Sequence, residues 1–368
     1  MNTKYHSIIS EVTYEKTINP KLHLNTGLQN KYSYTFNKYL SNYYLDKMHQ
    51  NNTYLYGQVS GRFNNKFQYQ AGTGIKLFHV NKGAETKTYL KSQGSLALFY
   101  IPTNKLSLSL NSNFIPYLPT LAQLSRVTQR FDSISVHTGN PALKPSQQFN
   151  NRFNVNYNNG KFTSTISLNY MYTKAPVFTN VTYKPAEKYF LFYPNNGIYN
   201  KQYGCEWKTT YRNIYDFLSL YGTVGWNLYK SNVGNNPLHL NSFYWDASAQ
   251  ILYKDFVLAM FYANNGKTLY NETITATGNN AGITLMYNKR NWTLYAQMMY
   301  VGIPDGDTYI TINHSKVNPY KSVVKIPENG NMLTLGVVWN LDFGKQKNKI
   351  NRNLNNSDNN QSVIKVQE

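Results

Sequence analysis

Residues 334–343 alternate over ten positions. Leu335, Val337, Trp339, Leu341 and Phe343 fall on one face, and Thr334, Gly336, Val338, Asn340 and Asp342 on the other, where only Gly336 and Val338 are not polar. A period of two makes a β-strand with one apolar face, whereas a helix would scatter the two sets around its circumference. The pattern recurs. Trp292, Leu294, Ala296, Met298 and Tyr300 share a face, as do Phe243, Trp245, Ala247, Ala249 and Ile251. Leu218, Leu220, Gly222, Val224, Trp226 and Leu228 form another set, and Phe162, Ile166, Leu168, Tyr170 and Tyr172 a further one. About fifteen such segments are found, many of ~10–13 residues, longer than the ~5–6 of an ordinary soluble strand. That length suits a tilted strand crossing a bilayer, which needs ~9–11 residues.

The connections between segments alternate short and long. Short turns are read at Asn19-Pro20, Asn64-Asn65-Lys66, Pro102-Thr103-Asn104, Asn158-Asn159-Gly160, Asn213-Ile214-Tyr215, Lys254-Asp255 and Asn288-Lys289-Arg290. Long loops are read between them at 30–51, 81–88, 116–145, 176–198, 231–241, 265–279 and 303–330. A transmembrane barrel has short turns at its periplasmic rim and long loops at its extracellular rim. A soluble sandwich has no reason to keep that rule.

Composition agrees where it bears on this point. The mean hydropathy is −0.54, and no apolar run approaches the ~18–20 residues of a membrane helix. A barrel spans the bilayer with such a composition because only alternate residues meet lipid. There are 34 Tyr, 18 Phe and 5 Trp, the residue types that sit at a membrane–water boundary. A Tyr-rich soluble β protein would share this composition without sharing the alternation of turns. The net charge of +20 suits an anionic neighbour, either outer-membrane lipid and lipopolysaccharide or nucleic acid. The aromatics follow strand ends rather than forming a base-stacking platform, so no nucleic acid partner is expected. Cys205 is the single cysteine, which excludes an internal disulfide. It is in register with Tyr203 and Trp207, so it is placed on the lipid face.

Parity gives a further expectation. The last strand follows a long connection and so ends in the periplasm. The first, near residues 8–14, runs the same way, so strands 1 and 15 are parallel. Single-chain bacterial barrels close with even numbers of antiparallel strands. Unless one strand is miscounted, further strands upstream are expected. The first seven residues also lack the apolar core of a signal peptide. The division read from the sequence is a barrel portion at 1–344 and a disordered periplasmic tail at 345–368, rich in Asn and Lys.

An enzyme in this setting would need a His held by a carboxylate at one rim. His137 and His314 fall in predicted loops, as do Asp132, Asp305 and Asp307, but no spacing ties them together. Asp305-Gly306-Asp307 has the start of a calcium loop without its later ligands, and reads as a turn. No catalytic residue, cofactor or metal is expected. Ligand-contacting positions on the lumen face are read at Asn150, Arg152, Asn154, Glu206, Lys208, Asp246 and Gln250.

Two stretches resemble TonB-dependent receptors of the outer membrane. The first runs Thr138-Gly139-Asn140-Pro141-Ala142-Leu143-Lys144-Pro145-Ser146, just before an amphipathic strand at 147–157. Residues 114–124, with Ile115-Pro116 and Leu118-Pro119, resemble the family's approach to the same loop, where Arg-Pro is frequent. In the first stretch Gly139 is read as permitting a positive-φ turn, and Pro141 and Pro145 as stiffening the approach. The second stretch is Thr334-x-Gly336-x-x-Trp339-x-Leu341, continuing to Phe343, which is similar to the assembly signal read by the barrel-assembly machinery. The resemblance implies an all-β antiparallel barrel of about 22 strands, of which this chain holds about fifteen. It also implies a plug domain and TonB coupling, neither of which is found in this sequence. The implied activity of the parent is binding and uptake of a solute. The alternatives are a plug-less pore or surface-binding barrel, and a truncated receptor fragment without transport.

Overall fold

A computed structural model describes residues 2–19, 21–39, 44–82 and 85–341. In chain order the elements begin with β1 (Asn2–Asn19), β2 (Leu22–Tyr39), β3 (Tyr44–Asn64), β4 (Phe67–Lys82), β5 (Glu85–Thr103) and β6 (Leu106–Tyr117). Helix α1 (Leu121–Leu124), β7 (Gln129–Arg130) and β8 (Ser135–His137) follow. Next come β9 (Ser146–Asn158), β10 (Phe162–Lys174), β11 (Val177–Lys184), β12 (Tyr189–Asn196), β13 (Tyr199–Ile214), β14 (Leu218–Val233) and β15 (Asn236–Tyr253). The chain continues with β16 (Phe256–Asn264), β17 (Lys267–Tyr270), β18 (Thr273–Thr277), β19 (Asn280–Lys289), β20 (Trp292–Met299), β21 (Asp307–Asn313), β22 (Tyr320–Ile326) and β23 (Met332–Trp339).

Fifteen strands form one sheet in the order β1-β2-β3-β4-β5-β6-β9-β10-β13-β14-β15-β16-β19-β20-β23, each antiparallel to its neighbours. The expected strand number is therefore met. All seven short turns lie within a residue or two of their expected places, as at Lys254-Asp255 between β15 and β16. The first and last strands of the sheet are not paired with each other among the described residues.

The alternation sorts the faces as expected. Val12 is 73% exposed, Leu90 66% and Leu335 72%, while inward neighbours such as Ser167, Thr223 and Ser231 are buried. Apolar residues standing outward all along a sheet are an informative departure from a soluble fold. They are what a sheet facing lipid requires, and they exclude the Tyr-rich soluble alternative. Cys205 is exposed on this outer face with Trp207.

Three of the expected loops are mostly strand over their described residues. Residues 30–39 belong to β2 and 44–51 to β3; 81–82 and 85–88 continue β4 and β5. At 231–241 only Gly234 and Asn235 leave the ladder. Both have positive φ, +56° and +55°, the two-residue turn whose twist matches that of the strands it joins. Along the upper part of β2 the inner face carries buried Ser33, Thr35 and Asn37 and the outer face Tyr32, Tyr34 and Phe36, so the aliphatic signal fades while the backbone ladder continues. The other four expected loops carry strands of their own. They form two four-stranded sheets, β11-β12-β8-β7 and β17-β18-β21-β22, at the loop rim.

Strand β23 stops at Trp339, four residues before the expected end, although Asn340 still donates its N–H to Asn291 O at 2.8 Å. Leu341 is exposed in the lipid-facing register. Phe343 and the expected tail at 345–368 lie outside the described residues. Within β23, Gly336 stands opposite Tyr295, and a Cβ there would lie 2.2 Å from the Tyr295 ring carbon Cζ. The glycine is required by a neighbouring ring laid across its strand. Trp339 stacks on Trp292 with centroids 5.0 Å apart and planes 2° from parallel, at the rim where the turn begins.

Candidate functional site

The segment 118–145 does not hang free at the rim. Thr120 caps α1 reciprocally with Gln123, which fixes the start of the helix. Ser125 donates to Asp46 of β3 at 2.6 Å, a bond buried among neighbours. Leu124 and Leu143 then pack with Met48 and Val80 on the inner wall of β3 and β4, with Val177 alongside. Leu143 is 1% exposed. The loop is thus pinned inside the mouth by the leucine of its own motif.

Each remaining residue of that motif has a place. Gly139 is not in a positive-φ conformation, which corrects the expectation for it. A Cβ there would lie 2.2 Å from Ser125 O, so the glycine serves close backbone approach. Its N–H donates to Ser125 O at 2.7 Å and that of Asn140 to Gln123 O at 2.6 Å. The Asn140 side chain donates to Pro194 O at 3.0 Å and accepts from Ala142 N. Lys87 reaches Pro141 O, and Tyr89 donates to Leu143 O at 3.1 Å. Lys144 N donates to Asn196 Oδ1 at 2.9 Å, and Pro145 is buried. The motif joins three separate parts of the chain.

Strand β12 pairs parallel to β8, with Phe192 opposite His137. Between these strands, α1 and the β17–β18 turn lies a cavity of about 350 Å³, lined by Phe131, His137, Phe178, Phe192, Tyr193 and Asn271 among others. The His137 ring lies parallel to Phe192 at 4.6 Å, and Phe131 meets it edge-on at 4.6 Å. Burial between these rings lowers the His137 pKa, partly opposed by the Asp132 carboxylate. Asp132 itself is held below the usual carboxylate range, first by the Ile134 N–H and then by Ser135. The imidazole is therefore neutral near pH 7 and acts as a third aromatic ring.

A second cluster lies on the inner wall. Glu206 is 3.1 Å from Lys208 Nζ and 3.9 Å from Arg152 Nη2, and accepts from the Tyr244 hydroxyl at 2.9 Å. Arg152 Nε donates to Asn154 Oδ1 at 3.0 Å, and Ser167 donates to the same oxygen at 2.8 Å. Four of the expected lumen positions, Arg152, Asn154, Glu206 and Lys208, are thereby brought together. Gln250 accepts from Tyr221 at 3.4 Å. Asn150 and Asp246 keep their inward register without joining the cluster. Tyr244 and Ser167 were not foreseen. Tyr244 reaches Glu206 by crossing Gly225, where a Cβ would lie 2.0 Å from the ring.

The loop histidines and carboxylates are dispersed. Asp305 pairs with Lys325 at 2.7 Å, Asp307 accepts from Tyr300 and Asn329, and His314 N donates to Glu272 O. Only Asp132 and His137 share a locality. Among the described residues no three His, Cys, Asp or Glu gather as metal ligands.

Comparison with solved structures shows the same fold at low identity. The "Copper transporter OprC" superposes with a TM-score of 0.68 at 10% identity, covering 92% of this chain and 56% of its own. The FrpB iron transporter from Neisseria meningitidis gives 0.63 at 13% identity, covering 92% of this chain and 55% of its own. The ferric enterobactin receptor PfeA from Pseudomonas aeruginosa gives 0.58 at 11%, covering 81% and 48%. The chain thus spans about half the length of these structures. The likeness agrees with the resemblance to TonB-dependent receptor barrels drawn from the sequence motifs. No curated protein matches the chain. The match to the family described as "Outer membrane protein beta-barrel family" extends over residues 1–299. With fifteen antiparallel strands, an apolar outer face and loops gathered at one rim, the chain belongs to that family and is an outer-membrane β-barrel.

Proposed function

We propose that this chain forms the later part of a solute receptor, and that the cavity between β8, β12 and α1 is where the solute first binds. The observation that carries the reading is the Phe131–His137–Phe192 stack, open to a cavity at the loop rim and held there by the motif at 139–145. Stacked, half-exposed rings in a preformed cavity suit a ligand with planar or apolar surface. The solved structures of similar fold are named as copper, iron and ferric enterobactin proteins, which makes metal chelates the first ligands to test. The chain is a carrier and not an enzyme in this reading.

Energy for uptake would come through a plug domain engaging TonB. The segment carrying Thr334, Gly336, Trp339 and Leu341, with Phe343 beyond it, would be read by the barrel-assembly machinery. The test is equilibrium binding of ferric enterobactin, a ferric hydroxamate and a copper chelate to outer membranes bearing the protein. Phe192→Ala and His137→Ala should each weaken binding of the ligand that binds about tenfold, or ~1.4 kcal/mol, the worth of one ring pair. Binding that ignores both substitutions would sink the assignment of the cavity. No binding of any chelate would favour the plug-less pore.

A further inference from the structure

The ladder of the large sheet places two lysines face to face on its outer surface. Lys201 of β13 stands directly opposite Lys230 of β14. Lys230 in turn stands opposite His239 of β15, and Lys201 opposite Tyr172 of β10. Lys174 lies one outward position further up β10. All belong to the registers that carry the lipid-facing residues Leu168, Cys205, Trp226 and Phe243 lower in the wall. Directly opposed side chains have Cβ atoms ~4.5–5.5 Å apart, and like charges there destabilise a sheet.

Nothing on the same face offsets this repulsion. The outward registers of β10, β13, β14 and β15 carry no Asp or Glu among the described residues. Glu206 and Asp246, the carboxylates within these strands, are on the inner registers. Lys201 instead sits over the Tyr172 and Tyr199 rings, at 5.5 and 4.7 Å. That contact orients its ammonium without neutralising it.

Height identifies the missing charge. Lys201 is ten residues along β13 from Tyr211, near the short-turn end. At ~3.4 Å per residue and a tilt of ~40°, this is about 26 Å along the membrane normal, the height of the apolar band of an outer-membrane barrel. The patch is therefore level with the headgroups of the outer leaflet, where the anions available to an outward face are the phosphates of glycolipid. We propose that Lys201 and Lys230, with Lys174 and His239 beside them, bind a phosphate of lipopolysaccharide lipid A. The anion would sit between the opposed ammonium groups and remove their repulsion. The tyrosines at 172 and 199 would lie against the sugar and upper acyl carbons. This site stands on the outer wall and does not depend on which solute the mouth receives.

The test uses the full chain extracted from outer membranes in mild detergent, stripped of lipid and titrated with diphosphoryl lipid A. Lys201→Gln with Lys230→Gln should weaken binding at least tenfold, and Lys230→Gln alone about fivefold. Lys105→Gln with Lys161→Gln, an equal charge change at the opposite rim, should stay within twofold of wild type. Dephosphorylated lipid A should bind wild type no better than the Lys201/Lys230 variant binds the diphosphoryl form. Heat-modifiable migration confirms that each variant is assembled, and removal of either like charge should not impair it. Unchanged affinity in the double variant, an equal loss in the opposite-rim control, or equally tight binding of dephosphorylated lipid A or phosphatidylglycerol would each overturn the proposal.

Discussion

Replacing Gly225 by Ala should destabilise the barrel, and removing one ring elsewhere should reverse the sign of the effect. The new Cβ would stand 2.0 Å from Tyr244 Cζ and 2.4 Å from its hydroxyl oxygen, so the ring must leave its place across β14. Leaving breaks the 2.9 Å bond to Glu206, whose carboxylate keeps Lys208 at 3.1 Å and Arg152 at 3.9 Å. A hydrogen bond to a charged group contributes about 1.5–3 kcal/mol, and displacing a well-placed side chain costs a similar ~1–3 kcal/mol. The inner wall is partly wet, so the lower half of the summed range applies, and Gly225→Ala should cost about 2.5–4 kcal/mol. In a Tyr244→Ala background the obstacle is gone. The same substitution should then be neutral or stabilise by roughly 0.5–1 kcal/mol, because alanine loses less conformational freedom than glycine in a strand. The assay is urea unfolding of the protein in lipid vesicles, read by tryptophan fluorescence, for all four members of the cycle. An equal cost of Gly225→Ala in both backgrounds would refute the account of Tyr244 given above.

Other outcomes follow from single contacts. Leu335→Lys puts a charge on the lipid face of β23 about 10 Å above the Trp339 rim, at two strand steps more depth than Val337, and should cost ~2–4 kcal/mol, lowering the outer-membrane yield. Trp339→Lys, at the rim, should cost less, mainly the ~0.5–1.5 kcal/mol of its ring pair with Trp292; equal yields from both variants would refute the depth assignment. Leu143→Ala should cost about 2–5 kcal/mol of local stability, freeing the segment 118–145 to protease while the fifteen strands stay resistant. Burial lowers the His137 pKa, so the unfolded loop binds more protons than the docked one just below the ordinary histidine pKa of about 6.5. Docking of residues 131–137 should therefore be complete above that pH and weaken as the pH falls through the depressed value. Hydrogen exchange at pH 7.5 and 5 measures this, and stronger protection at the lower pH would contradict it.

The spanning part of the fold was legible in the sequence because lipid writes its own pattern. Leu168, Cys205, Trp226 and Phe243 had to be apolar or neutral, and their alternation fixed both strand and face. Ser33, Thr35 and Asn37 are as much strand as Leu24, yet the stretch reads as loop because the face opposite them carries Tyr32 and Tyr34, whose polar tips weaken the contrast that marks a lipid-facing strand. The candidate site was hidden for another reason. Phe131, His137 and Phe192 meet through a parallel pairing between strands far apart in sequence, and no local period encodes a pairing. The lumen cluster was half visible. Alternation put Arg152, Asn154, Glu206 and Lys208 on the right face, but only register could show that Gly225 lets Tyr244 join them.

Among the described residues the outer margins of β1 and β23 are unpaired, and this sets a thermodynamic condition on the sheet's existence in a bilayer. Along β1 and β23 every second residue turns a backbone N–H and C=O away from the sheet. In hydrocarbon each unsatisfied group costs several kcal/mol, so two bare margins would cost tens of kcal/mol. Folded proteins are stable by only ~5–15 kcal/mol, far too little to carry that load. The fifteen-stranded sheet can therefore persist in lipid only with both margins occupied. Because β1 and β23 point the same way, antiparallel closure needs an odd number of intervening strands. Assembly is then all or nothing: a wall lacking one strand is as costly to hold in the membrane as a wall lacking several.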